Sequence, residues 1–315
     1  MAVDGRPGRY LVLGGYGNVG RRVVEELRLA RQVVLVAGRD PARSDVVLDL
    51  RDPDIGSYRR TLAEVDVVVN ASGSERLELA EQAGESGRPF VDISATTSYV
   101  TALTELPAQA PVLVDVGLAP GLTNLLTAAV HAEAPHQPID ILVYLGAGDQ
   151  HGAAAIEWTF RLFGAHFADG TDPVRNYTRP RAFYIPGVGR RQLVRLDFSD
   201  QHTLTRDLDI PVRTYFALDS TPATALLRML TWIPGASRAP RGVHLPGSDQ
   251  WTVAARAADG TIRWAHGRNQ SWAGAVVAAR AARAARGLPA GTYPLHRVLA
   301  LDDLPVDHGF VLGGS

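Results

Sequence analysis

Leu11-Val12-Leu13-Gly14-Gly15-Tyr16-Gly17-Asn18-Val19-Gly20 is the stretch that decides the fold. Its first residues predict an apolar strand, which runs into a glycine-rich turn and then opens a helix. Gly15, Gly17 and Gly20 keep the spacing G-x-G-x-x-G. In a dinucleotide-binding fold the first of these glycines permits the tight turn and the second lets the backbone approach a pyrophosphate. The third lets helix and strand pack closely. The helix start then turns unpaired N–H groups and a partial positive charge toward the phosphates. Tyr16, Asn18 and Val19, between the glycines, belong to the same candidate cofactor site.

Glycine is abundant in the chain, so the spacing takes its weight from context. Val19, Val23, Val24 and Leu27 form an apolar stripe at near-helical spacing, and Arg21, Arg22, Glu25 and Glu26 fall largely on the other face. A second apolar run follows at Gln32 to Ala37. Strand, turn, amphipathic helix and strand make one βαβ unit.

The alternation continues. Val46 to Leu50, Val65 to Asn70, Phe90 to Ser94 and Val112 to Val116 read as further strands. Glu75 to Ala83, stopped by Gly84, and Thr97 to Leu106 read as helices. Short apolar runs separated by helices predict an α/β fold with a Rossmann-type, doubly wound parallel sheet. After Pro120-Gly121 the pattern changes. Leu122 to Ala132 reads as a helix with proline near its first turn. Ile139 to Leu145, Phe183 to Ile185, Leu193 to Phe198, Arg213 to Leu218, Trp251 to Ala257 and Thr261 to Ala265 read as strands. Asp259-Gly260 joins the last two as a hairpin turn. This middle region reads as α+β with a mostly antiparallel sheet. Trp232 to Gly247, with three prolines, reads as a long loop, and Ser271 to Arg286 as a helix.

Composition narrows the chemistry. With 315 residues, 46% of them hydrophobic, the chain can bury more than one core. A net charge of -1 points away from nucleic-acid partners. No apolar run approaches the roughly 20 residues that span a bilayer, and the first nine residues lack the apolar stretch of a signal peptide. A cytoplasmic location is the expectation. There is no cysteine, so thiolate metal sites and thiol nucleophiles are excluded, and no metal site is expected. There is also no lysine: all 32 residues of the Lys and Arg count are arginine. Schiff-base chemistry and any lysine acid or base are excluded with it.

Cofactor preference is read at the end of the second strand. The NAD version of the fold places an acidic residue there to bind the ribose 2′-OH. Here Gly38 takes that position, Arg39 follows, and Arg43 lies one turn further. Arginine at this point suits a 2′-phosphate, so NADP(H) is expected over NAD, although Asp40 is adjacent. Asp49 ends the third strand, where adenine edges are often read. Asn70, Ala71 and Ser72 end the fourth, near the expected nicotinamide ribose.

These residues together resemble the saccharopine dehydrogenase family and its homospermidine and carboxynorspermidine synthase relatives. Gly14 to Gly20 looks like the family's opening G-G-x-G-x-x-G. Val91 to Ser94 is similar to its fifth-strand segment, and Gly117-Leu118-Ala119-Pro120-Gly121-Leu122-Thr123-Asn124 to its G-x-x-P-G block. The likeness covers residues 10 to 125. It implies a dinucleotide-binding domain of residues 1–122 plus 267–315 and an inserted substrate and dimerisation domain of residues 123–266. A homodimer acting on a small molecule follows from the same likeness. Ala119 stands where saccharopine-forming reductases typically carry a catalytic acid, and their lysine is missing too. A different substrate is therefore expected.

The densest polar cluster outside the first third is Gly146 to Gly152, followed by a helix from Ala153 to Arg161. His151, in a glycine-flanked loop at a helix start, is the candidate proton carrier at neutral pH. Glu157 and Arg161, four apart on one helix face, complete the candidate catalytic set. Arg161 or Arg175 could clamp a carboxylate, and Trp158 could wall an apolar slot. Tyr177 and His166 are weaker alternatives. An iminium substrate accepts hydride without a strong acid, so binding and orientation would supply most of the rate. The expected activity is imine reduction, or amine oxidation in reverse, on an amino-acid-like or polyamine-like molecule. The rivals are a carbonyl or enoyl reductase, a non-catalytic NADP-binding regulator, and a synthase that uses nicotinamide without net redox change.

Overall fold

The first strand, its glycine turn and the helix after it stand where the glycine pattern puts them. The computed structural model describes residues 6–148, 153–170, 172–238, 247–304 and 309–314. The chain begins with β1 (Arg9–Leu13), α1 (Gly20–Leu29), β2 (Val33–Gly38), β3 (Val46–Val47) and α2 (Gly56–Leu62). It continues with β4 (Val67–Asn70), α3 (Leu77–Glu85), β5 (Phe90–Asp92), α4 (Thr97–Glu105) and β6 (Pro111–Val114). An irregular turn at Leu118–Leu122, with a cis Ala119-Pro120 bond, leads into α5 (Thr123–Glu133). Next come β7 (Ile139–Leu145), α6 (Ala153–Arg161), β8 (His166–Asp169), β9 (Asp172–Arg175), β10 (Thr178–Ile185) and β11 (Gly189–Arg195). Then follow α7 (Ser199–Leu208), β12 (Val212–Leu218), α8 (Thr221–Leu230), β13 (Gln250–Ala257) and β14 (Ile262–Arg268). The chain closes with α9 (Gln270–Ala285), β15 (Gly291–Pro294) and β16 (Phe310–Gly314). Two compact units result, one of residues 1–121 and 274–304, the other of residues 122–273 and 305–315.

The first unit is a Rossmann-type α/β sheet of seven strands in the order β15-β6-β5-β4-β1-β2-β3, and every pairing within it is parallel. The chain runs outward from β1 to β2 and β3, then returns to place β4 on the other side of β1. That reversal is the topological switch point, where open α/β sheets carry their ligand crevice at the carboxyl ends of the strands. One sheet face buries Leu11, Leu13, Val68 and Phe90 against Tyr58, Leu62, Leu79 and Leu103 of the helices. Helix α1 packs on β1 and β2 and buries Val23, Val24 and Leu27, much of the predicted stripe.

Several boundaries differ from the sequence expectation, each for a local reason. The third strand stops at Val47, because Asp49 accepts hydrogen bonds from the Arg51 amide and guanidinium and turns the chain. Gly84 lies inside α3 rather than ending it. Gly87, at φ +68°, ends the helix, with its N–H donating to the Gly84 carbonyl and that of Arg88 to Ala83. The strand expected to reach Val116 ends at Val114, where Asp115 takes a left-handed φ of 54°. Pro120 lies in the irregular turn, outside the first turn of α5.

The second unit carries a seven-stranded sheet in the order β10-β11-β12-β7-β13-β14-β16 and a separate hairpin of β8 and β9. The main sheet is mixed: β12 runs parallel to β7, and its other pairings are antiparallel. One face is covered by α5, α7 and α8. The other buries Leu142, Tyr144, Phe183, Ile185, Leu193, Tyr215 and Ala254 among its own strands. The sheet curls to do so, since the tip of the β10–β11 hairpin at Gly187 comes back beside His266 of β14.

A buried charge is fixed on the inner side of this sheet. The Arg195 side chain is 3% exposed and pairs with Asp169. Its guanidinium also donates to Gln201 Oε1 at 2.9 Å and lies over the rings of Phe167 and Tyr215. Removing a partner from a buried pair strands a charge in low dielectric. Asp169→Ala should therefore lower stability by about 3 kcal/mol in urea unfolding. A loss under about 1 kcal/mol, the scale of an exposed pair, would contradict this reading.

Candidate functional site

The glycine turn at the end of β1 is built by close backbone approaches. The amides of Gly14 and Gly15 both donate to the Ala37 carbonyl at the end of β2, at 2.9 and 3.3 Å. Gly14 adopts φ +70°, and a Cβ there would press on Ser72 Cα and the Ala71 carbonyl of the β4 loop. A Cβ at Gly20 would overlap the Gly14 carbonyl oxygen, so α1 can start this close to β1 only with glycine at that position. Gly17 is different. Its Cβ would meet only the Gly14 oxygen, at 3.1 Å, and otherwise open space. The backbone N–H groups of Val19 and Gly20 have no protein acceptor among the described residues. A helix start with free amides and a glycine opening is the chemistry that receives a phosphate. The residues present therefore fit a dinucleotide pyrophosphate.

The end of β2 holds three of the predicted cofactor residues together. The Tyr16 ring extends over Gly38, and its hydroxyl accepts hydrogen bonds from the amides of Arg39 at 2.9 Å and Asp40 at 3.3 Å. Arg43 stacks over the same ring, 4.5 Å from its centroid, and donates to the Tyr16 carbonyl. The Arg39 guanidinium is exposed and has no hydrogen-bond partner among the described residues. Asp49 is held by Arg51 through bonds of 3.0 and 2.6 Å, and that guanidinium pulls its carboxyl down to about 2.

Asn70 and Asp92 form a buried bracket at the ends of β4 and β5. Asn70 Nδ2 donates to Asp92 at 2.7 Å and to the Ser74 carbonyl at 2.8 Å, while its Oδ1 accepts from the Ser72 hydroxyl. The side chain thus shapes the Ala71-Ser72 loop from behind and is fully occupied in doing so. Asp92 also accepts from Tyr99 Oη and the Ser94 amide, and burial raises its carboxyl above the ordinary range. The sequence reading placed Asp92 in the fifth strand but gave it no role in the site. Its signal was an acidic residue ending an otherwise apolar strand beside Asn70.

In chain order the predicted catalytic residues follow β7. His151 lies outside the described residues. Glu157 and Arg161 are both exposed on α6. Arg175 is stacked 4.6 Å from the Trp232 ring and donates to the Thr231 carbonyl. Trp158 packs on Phe198, their ring centroids 4.8 Å apart. Tyr177 is buried with its phenol donating to the Thr159 carbonyl, and burial raises its pKa. His166 is exposed on β8. Asp219, which sequence reading missed, fastens the base of the glycine loop. Its carboxylate accepts from the amides of Ala147 at 2.8 Å and Ser248 at 2.7 Å, and these bonds hold it below the usual carboxylate range despite the opposing effect of partial burial. Gly146 and Gly148 continue the pairing beyond β7, donating to the carbonyls of Gln250 and Ser248. Among the described residues no group of three or more acidic or histidine side chains could hold a metal ion. No helix among them is long and apolar enough to cross a membrane.

No family model and no curated protein matches the chain. Solved structures with related folds include a mutant meso-dapdh with DAP from Clostridium tetani E88, 14% identical, with a TM-score of 0.47, covering 94% of this chain and 96% of that one. An amine dehydrogenase from Mycobacterium smegmatis is 11% identical, with a TM-score of 0.47, over 95% and 98%. A dipicolinate-bound dihydrodipicolinate reductase from Paenisporosarcina sp. TG-14 is 12% identical, with a TM-score of 0.43, over 93% and 100%. Identities this low define no shared site, and the residue roles rest on the geometry above.

The three glycines separate by what surrounds them. Gly20→Ala should destabilise the first unit by about 2 kcal/mol through backbone displacement. Gly17→Ala should leave the melting temperature within about 3 °C and weaken dinucleotide binding about tenfold or more. Thermal melts and calorimetric titration check both, and equal behaviour of the two variants would contradict the assignment.

Proposed function

We propose that the chain is an NADP(H)-dependent oxidoreductase that transfers hydride to or from a C–N bond of an amino-acid-like or polyamine-like small molecule. One observation carries this reading. The open glycine turn and the unsatisfied amides at the start of α1 belong to the same unit as a β2 end where glycine stands at position 38 in place of an acidic residue and Arg39 and Arg43 follow. Amide hydrogens at Val19 and Gly20 would hold the pyrophosphate, and the guanidinia would hold the 2′-phosphate, which accepts bidentate bonds from arginine. Nicotinamide, when bound there, would supply or accept the hydride. The first unit is the dinucleotide-binding domain in this reading, and the second carries the substrate contacts.

The C–N assignment rests on what the chain can and cannot do with protons. It has no lysine and no cysteine, so neither a lysine acid nor a covalent thiol intermediate is available. An iminium carbon is already electrophilic, and its reduction asks the protein mainly to orient the substrate and exclude water. His151 is the proposed proton carrier for the step that forms or discharges the iminium, with Glu157 and Arg161 holding polar groups of the substrate. The G-L-A-P-G segment is consistent with a divergent saccharopine dehydrogenase-like enzyme whose Ala119 has lost the acid.

Two measurements test the reading. Arg39→Ala should weaken NADPH about tenfold while leaving NADH within about twofold, because only NADPH has the phosphate that arginine grips. Equal losses for both would remove the 2′-phosphate assignment. NADPH oxidation should then be followed against imines, ketones and enoyl thioesters. Turnover with cyclic or preformed imines that falls at least about tenfold in His151→Ala supports the assignment. Turnover confined to ketones or enoyl thioesters would overturn the C–N part, and binding without any turnover would overturn the enzyme.

A further inference from the structure

Tyr16 sits where its hydroxyl can act in only one direction. Its oxygen accepts hydrogen bonds from two successive amides at the end of β2, those of Arg39 at 2.9 Å and Asp40 at 3.3 Å. With its acceptor capacity taken, the phenol has its O–H hydrogen left to give. Arg43 stacked on the ring and its bond to the Tyr16 carbonyl keep the side chain in this pose. Gly38 makes the pose possible, since any Cβ at that position would overlap the Tyr16 ring. The acidic side chain of the NAD version and the Tyr16 ring therefore cannot occupy the end of β2 together.

We propose that Tyr16 is a specificity-determining residue, a pinned hydrogen-bond donor that selects a phosphomonoester over a hydroxyl at the ribose 2′ position. This rests on the NADP(H) reading above and adds to it a residue that does not depend on net charge. A phosphate dianion only accepts hydrogen bonds. An acidic residue would accept from a 2′-hydroxyl and repel a phosphate, whereas the pinned phenol donates, beside the exposed Arg39 guanidinium. Gly38 and Tyr16 thus form one device: the missing side chain removes the acceptor and seats the donor that replaces it.

The test uses two probes that differ only by the phosphate, adenosine 2′,5′-bisphosphate and adenosine 5′-monophosphate, titrated by calorimetry into the full chain. The wild type should prefer the bisphosphate. Tyr16→Phe keeps the ring against Gly38 and Arg43 but removes the hydrogen, and should cut that preference about tenfold, the scale of a hydrogen bond to a charged group. Gly38→Ala leaves both arginines and Tyr16 in the chain but expels the ring, and should cut it by a similar factor. A preference unchanged in Tyr16→Phe would overturn the proposal. So would an increased one, since the phenol would then be a place-holder on amides that bind the phosphate themselves. A wild type that does not prefer the bisphosphate would sink the NADP(H) reading itself. A wild-type preference that survives Tyr16→Phe but falls in Arg39→Ala would sink only the role of Tyr16.

Discussion

The structure of the first unit depends on backbone meeting backbone where β1 turns into α1. The Gly14 carbonyl oxygen occupies the space a Cβ at Gly20 would need, and the β4 loop occupies the space beside Gly14. Side chains at either place would push the helix start away from the strand ends. The hydrogen bonds from Gly14 and Gly15 to Ala37 tie the same turn to β2. Helix, β2 and β4 loop are thus brought around one crevice by contacts that only glycine allows. The amides of Val19 and Gly20 meet no acceptor among the described residues, as the first N–H groups of a helix do where no side chain caps them.

Charge then decides what the crevice can hold. No carboxylate replaces Gly38 at the end of β2; Asp40, two residues on, accepts from the Ala42 amide, Asp45 accepts from the Val36 amide, and Asp49 is bound to Arg51. Arg39 and Arg43 are exposed, and the Tyr16 ring lies between the Arg39 backbone and the Arg43 guanidinium. Asn70 and Asp92 are buried and bonded to each other. They bracket the β4 loop from within, so their value lies in holding Ala71 and Ser72 against the glycine turn.

Much of the first unit was legible because its strands are short, mostly apolar and separated by helices, and because the glycine spacing is tied to a specific backbone path. The second unit was harder for a physical reason. Helix α7 buries Ser199, Asp200, Gln201 and Thr203. Asp200 accepts hydrogen bonds from Thr123 at 2.6 Å and Thr214 at 3.1 Å. A helix whose buried face is polar shows no hydrophobic period. Strand β10 fails in a similar way, since Thr178 to Ala182 are half-buried or exposed and only its end alternates. Helix α8 could have been found: Ser220-Thr221-Pro222 is a start signal, and the Ser220 hydroxyl does cap the Ala223 amide. Among the site residues, the Gly38 position and its arginines were readable from strand-end spacing. That Tyr16 crosses to cover Gly38 was not, because a side chain's reach over a neighbouring strand leaves no periodic trace.

The amide hydrogens of Val19 and Gly20 are proposed to grip a dinucleotide pyrophosphate. Amide chemical shifts of isotope-labelled protein, titrated with oxidised NADP, test it most directly. Saturable shifts are expected, largest at Val19 and Gly20, with a second group at Arg39 and Asp40. Shifts absent from residues 14 to 20 at saturating nucleotide, or largest elsewhere in the chain, would contradict it.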